Sequence, residues 1–430
     1  MRLLYNILFP LLFLVAAPFY FWKLIRRGNW RQGFGQRFGA YGSLRQELAG
    51  KRVLWLHAVS VGEANLAVQL VETLRREDAD AEFIVSTTTT TGMGVLRDRL
   101  PKGARAVYYP VDWLPFVKRA FNALQPAAVI LVEAEIWPNL FWEAAKREVP
   151  VSLVNARLSE NSFRGYRRFD FLFGPLFASL QSVGVHHEGD ADRVVELGCS
   201  EDQVRVTGNM KFDGAPEPGQ CSSVARTILD QLEVPAGAPV LVAGSTFEGE
   251  EAMLCEWLPR WREDHPDLLL VLVPRHFERT NQLLAELTST GLNIARRTQL
   301  ESAPTKPDVL LVDSTGELTS FYQEATVVFV GKSLTAQGGQ NPIEPAALGR
   351  PMVFGPFMQN FRVVVQALLA AEAAVQVSDE AELGREISRL LKGAGQRDAL
   401  GEAALKEVQA NKGATQRTAE MLGPMLRAVR

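Results

Sequence analysis

Residues 326–350 read TVVFVGKSLTAQGGQNPIEPAALGR, and this stretch decides the fold. The β-branched run Val327–Val330 predicts a buried strand, and a glycine-rich loop follows it. Asn341 and Pro342 are typical of a helix N-cap and first position, and Glu344 lies in the first turn. Backbone N–H groups at such a start favour an anion, and a carboxylate beside them suits ribose hydroxyls. The stretch therefore predicts a nucleotide-binding loop in a parallel α/β sheet; a capped helix without a ligand is the alternative.

Length and composition set the class of protein. The chain has 430 residues, 47% of them hydrophobic and 22% charged, with a formal net charge of −3. That length exceeds one compact core, so we expect two domains. The small net charge gives no general affinity for nucleic acid. Three cysteines and five histidines lack metal-ligand spacing. We therefore expect no metal, no cofactor and reduced thiols.

The amino terminus is apolar. Residues 3–22 form a run of twenty without a charge, and basic residues follow it. A helix of that length, rising about 1.5 Å per residue, spans a bilayer core of roughly 30 Å. Residues 1–27 are therefore predicted to be a membrane anchor, with the rest of the chain in the cytoplasm. A helix lying in the membrane surface and a cleaved signal peptide are the alternatives.

The remainder of the chain alternates short apolar runs with helical stretches. This rhythm predicts parallel sheets covered on both faces. Residues 214–223, GAPEPGQCSS, interrupt it and are predicted to be a linker. We expect one domain over 28–213 and a second over 224–430. Ligands of such α/β domains bind at the carboxyl ends of the strands, and two of them would face a cleft.

Polar residues just after the predicted strands are the candidates for chemistry. Glu63 is expected at a helix start, where an ionised carboxylate can take a proton from a hydroxyl. Glu133 follows a wholly apolar strand, and Lys211 precedes the linker, where it could neutralise a carboxylate or phosphate. The guanidinium of Arg275 is suited to binding a phosphate through two hydrogen bonds, and Gly316 lets the backbone approach a nucleotide base closely. A helix-start charge, a loop-holding carboxylate and a surface lysine are the structural alternatives for the first three.

Taken in order, these motifs resemble those of the 3-deoxy-D-manno-octulosonic acid (Kdo) transferases of lipopolysaccharide synthesis. The motifs are HAVSVGE (57–63), VEAEIWPN (132–139), NARLS (155–159), TGNMKFD (207–213), GSTFEGEE (244–251), LVPRH (272–276), GEL (316–318) and GGQNPIEP (338–345). The resemblance runs from the amino terminus to about Phe361. It implies an α/β protein of the GT-B glycosyltransferase fold, with two Rossmann-like doubly wound domains facing a cleft. It also implies metal-independent, inverting transfer of Kdo from CMP-Kdo to the lipid A precursor at the bacterial inner membrane.

The resemblance further implies roles for residues. Glu63 would be the general base, and Glu133 and Lys211 would stabilise the transition state. CMP would be held by Pro274, Arg275, Gly316, Glu317, Leu318, Asn341, Pro342, Ile343 and Glu344. Acceptor phosphates would meet Arg26, Arg27, Arg31 and Arg37.

The chain departs from the family pattern at four positions. Gln36 stands where Glu is usual, Gln340 and Phe247 where His is usual, and Lys332 where Gly is usual. Two other functions remain open: a membrane-associated GT-B enzyme that uses a UDP-sugar, and a catalytically inactive anchored binding protein. The intact Glu63 argues against the second.

Overall fold

The computed structural model describes residues 1–26, 33–133, 136–217, 219, 223–288 and 290–429; the side chains of Ala16 and of residues 19–26 lie outside this description. The chain forms two compact units, Met1–Asp213 with Gly413–Arg430, and Gly214–Lys412. Each unit is built on a seven-stranded sheet of parallel strands.

The first unit alternates strands and helices, as its sequence rhythm predicts. Its strands are β1 (Val53–His57), β2 (Glu82–Thr87), β3 (Arg105–Tyr108), β4 (Pro126–Val132), β5 (Val151–Ala156), β6 (Ser182–Val185) and β7 (Val204–Val206). Its helices up to residue 213 are α1 (Arg2–Arg26), α2 (Leu44–Glu47), α3 (Val61–Glu77), α4 (Thr90–Arg99), α5 (Leu114–Leu124), α6 (Pro138–Lys146), α7 (Glu160–Arg168), α8 (Asp170–Ala178) and α9 (Glu188–Glu196). Short 3-10 helices cover Phe34–Phe38, Glu201–Gln203 and Met210–Phe212.

The second unit repeats the pattern. Its strands are β8 (Val240–Thr246), β9 (Leu269–Pro274), β10 (Ile294–Arg296), β11 (Val309–Leu311), β12 (Val327–Val330), β13 (Met352–Phe354) and β14 (Val375–Gln376). Its helices are α10 (Val224–Gln231), α11 (Glu250–Asp264), α12 (Thr280–Thr288), α13 (Leu318–Glu324), α14 (Ile343–Ala347), α15 (Arg362–Ala370), α16 (Glu380–Lys392) and α17 (Ala394–Asn411). Three 3-10 helices cover Phe277–Arg279, Arg297–Ser302 and Gln359–Phe361.

Strand order explains where ligands can bind. The first sheet runs β3-β2-β1-β4-β5-β6-β7 and the second β10-β11-β9-β8-β12-β13-β14. Both faces of the first sheet are buried, because Trp55 packs into one core cluster and its neighbours Leu54 and Leu56 into another. The direction of winding reverses beside β1 in one sheet and beside β8 in the other, and crevices for ligands open at such points. The predicted doubly wound α/β architecture is confirmed.

The last helix returns to the first unit. This helix, α18 (Ala414–Ala428), places Ala419, Leu422 and Leu426 in a core cluster with α3. The Asp213 carboxylate accepts hydrogen bonds from the backbone N–H groups of Gly413 (2.5 Å) and Thr415 (2.6 Å). Residues 413–430 thus pack outside the unit to which the predicted domain 224–430 assigns them, because their apolar face completes the cover of the first sheet.

Helix α1 packs against the rest of the first unit. Tyr5 donates a hydrogen bond to Asp112 Oδ2 (2.9 Å), and Asn6 donates one to Asn139 Oδ1 (2.9 Å). Its other side leaves large apolar side chains exposed, among them Leu3, Leu12 and Val15. In the part of the chain that the structure describes, no helix is both long and apolar enough to cross a membrane. A membrane-spanning anchor, predicted from the uncharged run, is therefore not supported.

Candidate functional site

Glu63 lies where α3 follows β1, beside the winding reversal of the first sheet. Ser60 is the N-cap of α3, and its hydroxyl accepts from Glu63 N (3.2 Å). In return, the Glu63 carboxylate accepts from Val59 N (2.7 Å) and Ser60 N (3.3 Å). This capping box fixes the side chain, which is only 7% exposed. The predicted general base therefore also caps the N-terminus of its own helix.

The surroundings of Glu63 favour proton uptake. Burial raises the pKa of the Glu63 carboxyl, and the nearby negative charge of Glu133 raises it further. Hydrogen bonds from Val59 and Ser60 oppose this shift without cancelling it. A carboxylate with a raised pKa is a stronger base, as general-base catalysis requires.

Glu133 and Lys211 form an ion pair beside Glu63. The Lys211 Nζ lies 3.0 Å from Glu133 Oε1, and both side chains are about one-third exposed. Glu133 directly follows β4 and has a φ of 62°, a left-handed backbone that glutamate rarely adopts and that is typical of functional sites. Asn209 Oδ1 accepts from Lys211 N (3.0 Å), and Asn155 Oδ1 accepts from Met210 N (2.9 Å), which fixes the lysine. The structure thus brings together the three predicted catalytic side chains, all within the first unit.

In the second unit, the predicted nucleotide loop has a defined local geometry. Asn341 Oδ1 accepts from Ile343 N (3.1 Å), and Asn341 Nδ2 donates to Glu344 Oε1 (3.0 Å). Helix α14 nevertheless begins one residue later than predicted, with Pro342 as its N-cap. Pro342 has no side-chain donor or acceptor. Asn341, which precedes the helix, therefore binds the first turn through Ile343 N and Glu344 Oε1.

Arg275 and Glu344 lie near each other at the ends of β9 and α14. Burial raises the pKa of Glu344, while the hydrogen bond from Asn341 and the positive charge of Arg275 lower it in part. Pro274 ends β9, and the next residue, Arg275, donates its backbone N–H to Thr246 O (3.0 Å). The exposed Arg275 guanidinium has no hydrogen bond or ion pair within the described residues, so its donors can serve a ligand.

In the GEL motif, the Glu317 carboxylate is bound by an arginine side chain. Glu317 accepts two hydrogen bonds from Arg297, from Nη2 (2.8 Å) and Nε (3.0 Å), and a third from Ser314. Although burial acts in the opposite direction, these hydrogen bonds lower the pKa of Glu317. Gly316 has a φ of +85°, and an added Cβ there would meet nothing within 4 Å. Its backbone is therefore open to an approaching ligand, and Leu318 starts α13 beside it.

Glu250 is a residue whose role the sequence analysis missed. Its fully buried carboxylate accepts four backbone hydrogen bonds, from Phe247 (2.9 Å) and Lys332 (2.7 Å) at Oε2 and from Ser333 (2.9 Å) and Leu334 (3.1 Å) at Oε1. It therefore joins the loop after β8 to the loop after β12. Glu250 belongs to the GSTFEGEE motif, but the motif does not indicate hydrogen-bond partners more than eighty residues away in the sequence.

Two of the four family departures contact each other. The Lys332 Nζ lies 5.4 Å from the centre of the Phe247 ring, within the range of a cation–π interaction. Lys332 has a φ of 55°, a backbone conformation that glycine adopts without strain. A third departure, Gln36, accepts a hydrogen bond from Tyr108 N (2.8 Å).

The predicted phosphate-contacting arginines have different outcomes. Arg37 is buried, donates a hydrogen bond to Thr88 O (2.8 Å) and lies over the Tyr108 ring (4.1 Å to its centre). Its guanidinium therefore contacts protein groups and is not presented to an acceptor phosphate. Arg27 and Arg31 lie outside the described residues, as does the Arg26 side chain. Across the described ranges, no group of three or more His, Cys, Asp or Glu side chains is placed to hold a metal ion.

Comparison with known proteins identifies the family. A family profile described as 3-deoxy-D-manno-octulosonic-acid transferase (kdotransferase) matches residues 32–214. The transferase of that name from Bordetella pertussis is 32% identical over 412 residues, which cover 93% of this chain and 94% of the relative. The chain belongs to the 3-deoxy-D-manno-octulosonic acid transferase family. The Haemophilus influenzae family member is 30% identical over 406 residues, 94% of this chain and 93% of its own.

Solved structures support the fold. The UDP-GlcNAc 2-epimerase of Neisseria meningitidis aligns with a TM-score of 0.58 at 13% identity, over 87% of this chain and all of the epimerase. At that identity the likeness concerns the fold alone. It confirms the predicted GT-B architecture. Membership of the Kdo transferase family, and not this likeness, makes the protein a glycosyltransferase.

Proposed function

We propose that this glycosyltransferase moves Kdo from CMP-Kdo to a hydroxyl of the lipid A precursor, lipid IV(A), in lipopolysaccharide synthesis, with inversion and without a metal. Family membership supports the class of reaction. The observation that carries the residue assignment is the cluster of Glu63, Glu133 and Lys211 at the strand ends of the first unit, where burial raises the pKa of one acid and a lysine pairs with the other.

The proposed reaction is a single displacement. The acceptor hydroxyl oxygen forms a bond to the anomeric carbon of Kdo as the bond from that carbon to the CMP phosphate oxygen breaks. The hydroxyl proton passes to Glu63, and the electron pair of the broken bond leaves with CMP. Attack from the face opposite the leaving group inverts the anomeric centre. Because the phosphate already makes CMP a good leaving group, the protein has to position the reactants, remove one proton and stabilise charge.

The second proposed role belongs to the Glu133–Lys211 pair. Charge shifts toward the departing phosphate while the anomeric carbon becomes electron-poor. A lysine and a carboxylate 3.0 Å apart present both signs of charge to such a transition state. The left-handed backbone of Glu133 sets the direction of its side chain, and such strained residues are often found at active sites.

CMP is assigned to the second unit. In this proposal the Arg275 guanidinium, which has no partner among the described residues, binds the phosphate. Asn341 and Glu344 form hydrogen bonds with ribose hydroxyls. The open backbone at Gly316 faces the base. Glu317 acts through its bidentate contact with Arg297, which holds the turn in place, rather than through a free carboxylate. Pro274, Leu318, Pro342 and Ile343 supply the backbone around them.

Helix α1 is proposed to lie in the cytoplasmic surface of the inner membrane. The exposed Leu3, Leu12 and Val15 form an apolar side suited to the acyl boundary, and Arg26, Arg27 and Arg31 follow in the sequence. Acceptor phosphates at the headgroup level would then meet these arginines. Flotation with anionic lipid vesicles tests the placement: Leu12→Glu should remove the protein from the vesicle fraction, and full retention would contradict it.

Product analysis is the deciding experiment. The full chain is incubated with CMP-Kdo and a tetra-acylated lipid A precursor, and products are weighed by mass spectrometry. An acceptor heavier by one or more Kdo groups supports the proposal; an unchanged acceptor rejects it and favours an inactive binding protein. Calorimetric titration with CMP and UDP addresses the other alternative, because tighter binding of UDP would indicate a UDP-sugar donor.

A further inference from the structure

The NARLS motif contains polar groups that the proposed mechanism does not use. Asn155, the residue before the last in β5, has a φ of 53° and is fully buried, yet its Nδ2 donor has no hydrogen-bond partner in the described chain. Both ring nitrogens of His186, directly after the neighbouring strand β6, are buried; the Asn155 backbone lies near enough to raise the pKa of the ring slightly, but neither nitrogen has a hydrogen-bond partner of good geometry in the described chain. Unpaired donors in the interior are costly, so their presence at adjacent strand ends calls for a ligand.

Two cations lie close to these unpaired groups. Burial, followed by the positive charges of Lys211, Arg157 and His187, lowers the pKa of His186 to about 3. The imidazole is therefore neutral at physiological pH, and the cationic donors around it are lysine and arginine. Lys211 has one partner among the described residues, Glu133. Arg157 is half-buried, and its guanidinium makes no hydrogen bond or ion pair with any described residue.

The backbone around Arg157 is fixed although its side chain is not. The next residue, Leu158, donates its N–H to Asp190 Oδ1 (3.2 Å) and accepts at its oxygen from Arg193 Nη1 (2.7 Å). Asp190 is further engaged by His187 (3.2 Å) and Arg193 (3.7 Å) and forms no ion pair with Arg157. A preset backbone that presents a free guanidinium beside unpaired donors is suited to binding an oxyanion.

We propose that Asn155, Arg157 and His186, with Lys211, form a substrate oxyanion subsite at the ends of β5–β7 in the first unit. The inference rests on the proposed function, because the Lys211–Glu133 pair connects this subsite to the acid that removes the acceptor proton. Two substrate groups have the required chemistry: a phosphate of the lipid acceptor and the carboxylate of the transferred sugar. Both are planar or tetrahedral oxyanions that a guanidinium binds through two oxygens.

Arg157→Gln in the full chain tests the subsite. Arg164→Gln is the matched control, since Arg164 is a surface residue whose ion pair with Glu160 is largely exposed. We expect kcat/KM to fall roughly 10–100-fold in Arg157→Gln, the usual range for losing hydrogen bonds to a charged group, with partial recovery in Arg157→Lys. Thermal unfolding should be unchanged, because the guanidinium contributes no hydrogen bond to the fold.

Changing the substrate distinguishes the two sources. With acceptors that lack one phosphate, the loss in Arg157→Gln disappears for one of them if that phosphate is the ligand. If the sugar carboxylate is the ligand, the loss persists with every acceptor and the KM for CMP-Kdo rises. Either result supports the subsite, and kcat/KM within about twofold of wild type for all substrates overturns it.

Direct binding separates this inference from the proposed function. Calorimetric titration with inorganic phosphate needs no turnover, so it applies even if the wild-type protein fails to transfer Kdo. Phosphate affinity should fall about tenfold in Arg157→Gln and stay unchanged in Arg164→Gln. Equal affinity in Arg157→Gln and wild type overturns the subsite, whereas absent Kdo transfer by wild type overturns the proposed function alone.

Discussion

Replacing Glu250 with glutamine should destabilise the second unit of the protein, where its carboxylate joins two loops. The carboxylate is fully buried, and each of its oxygens accepts two backbone N–H groups. A glutamine side chain has one oxygen and one NH₂ group, so in either orientation two of the four backbone donors face another donor. Glu250→Gln therefore keeps the shape of the side chain and removes half of its hydrogen bonds.

The expected magnitude follows from these contacts. A buried donor left without a partner costs about 1–3 kcal/mol, so two give about 2–6 kcal/mol. The neutral amide avoids the cost of burying a charge, which favours the lower half of that range. With a urea dependence of about 2–3 kcal/mol per molar, the unfolding midpoint should fall by roughly 1 M.

Urea unfolding of the full chain, followed by circular dichroism and tryptophan fluorescence, measures the change. Trp257 and Trp261 lie on α11, the helix that Glu250 begins. Hydrogen exchange adds a local test, because the amides of Lys332 and Ser333 should exchange faster. Glu248→Gln, at an exposed position two residues earlier, is the control. A midpoint within about 0.2 M of wild type together with unchanged exchange would refute the reasoning.

Three further predictions concern catalysis and donor binding. Glu63→Gln should lower kcat by roughly 10²–10⁴-fold in the transfer assay while leaving the calorimetric affinity for CMP unchanged, because the base acts on the acceptor. A base must be ionised to act, and the pKa of Glu63 is raised. As pH falls, activity should therefore be lost at a higher pH than an ordinary glutamate would give. Glu133→Gln should move this acid limb of the kcat/KM profile to lower pH, because it removes a like charge beside Glu63. Arg275→Ala should weaken CMP binding about 10–100-fold by calorimetry, as expected for a lost charge-assisted contact with phosphate.

Each of these has an outcome that contradicts it. Near-normal turnover in Glu63→Gln would remove the assigned base, and Glu72→Gln, exposed on the same helix, controls for general effects on α3. An acid limb that stays in place in Glu133→Gln would show that the two carboxylates are not coupled. Unaltered CMP affinity in Arg275→Ala would reject the phosphate contact.

The sequence predicts the sheets well because a buried parallel strand is encoded locally. Val327–Val330 is a strand between the bounds that its apolar run indicates. The same local reasoning correctly placed Glu63 in the first turn of a helix, although it left open whether the side chain caps the helix or faces a substrate. Contacts between distant segments were not accessible. Nothing near Glu250 in the sequence indicates that it accepts hydrogen bonds from residues 332–334.

Predictions that depend on surroundings were the least successful. An uncharged run of twenty residues favours a spanning helix, but Tyr5 and Asn6 give α1 polar contacts with the first unit. The resemblance implies that Arg37 meets acceptor phosphates, whereas its burial against Tyr108 depends on the fold around it. The NARLS motif by itself does not indicate a binding site, because whether a donor is paired depends on the three-dimensional structure.

The path of the chain limits how this protein can be divided or recombined. Residues 214–412 are in effect an insertion within the first unit, entered after Asp213 and left before Gly413. A gene fragment that stops at Asp213 lacks α18, whose Ala419, Leu422 and Leu426 share a core cluster with α3. A chimaera that exchanges the second unit between relatives therefore has to be joined at both junctions, and the Asp213 carboxylate, which accepts hydrogen bonds from Gly413 and Thr415, has to be kept at the join.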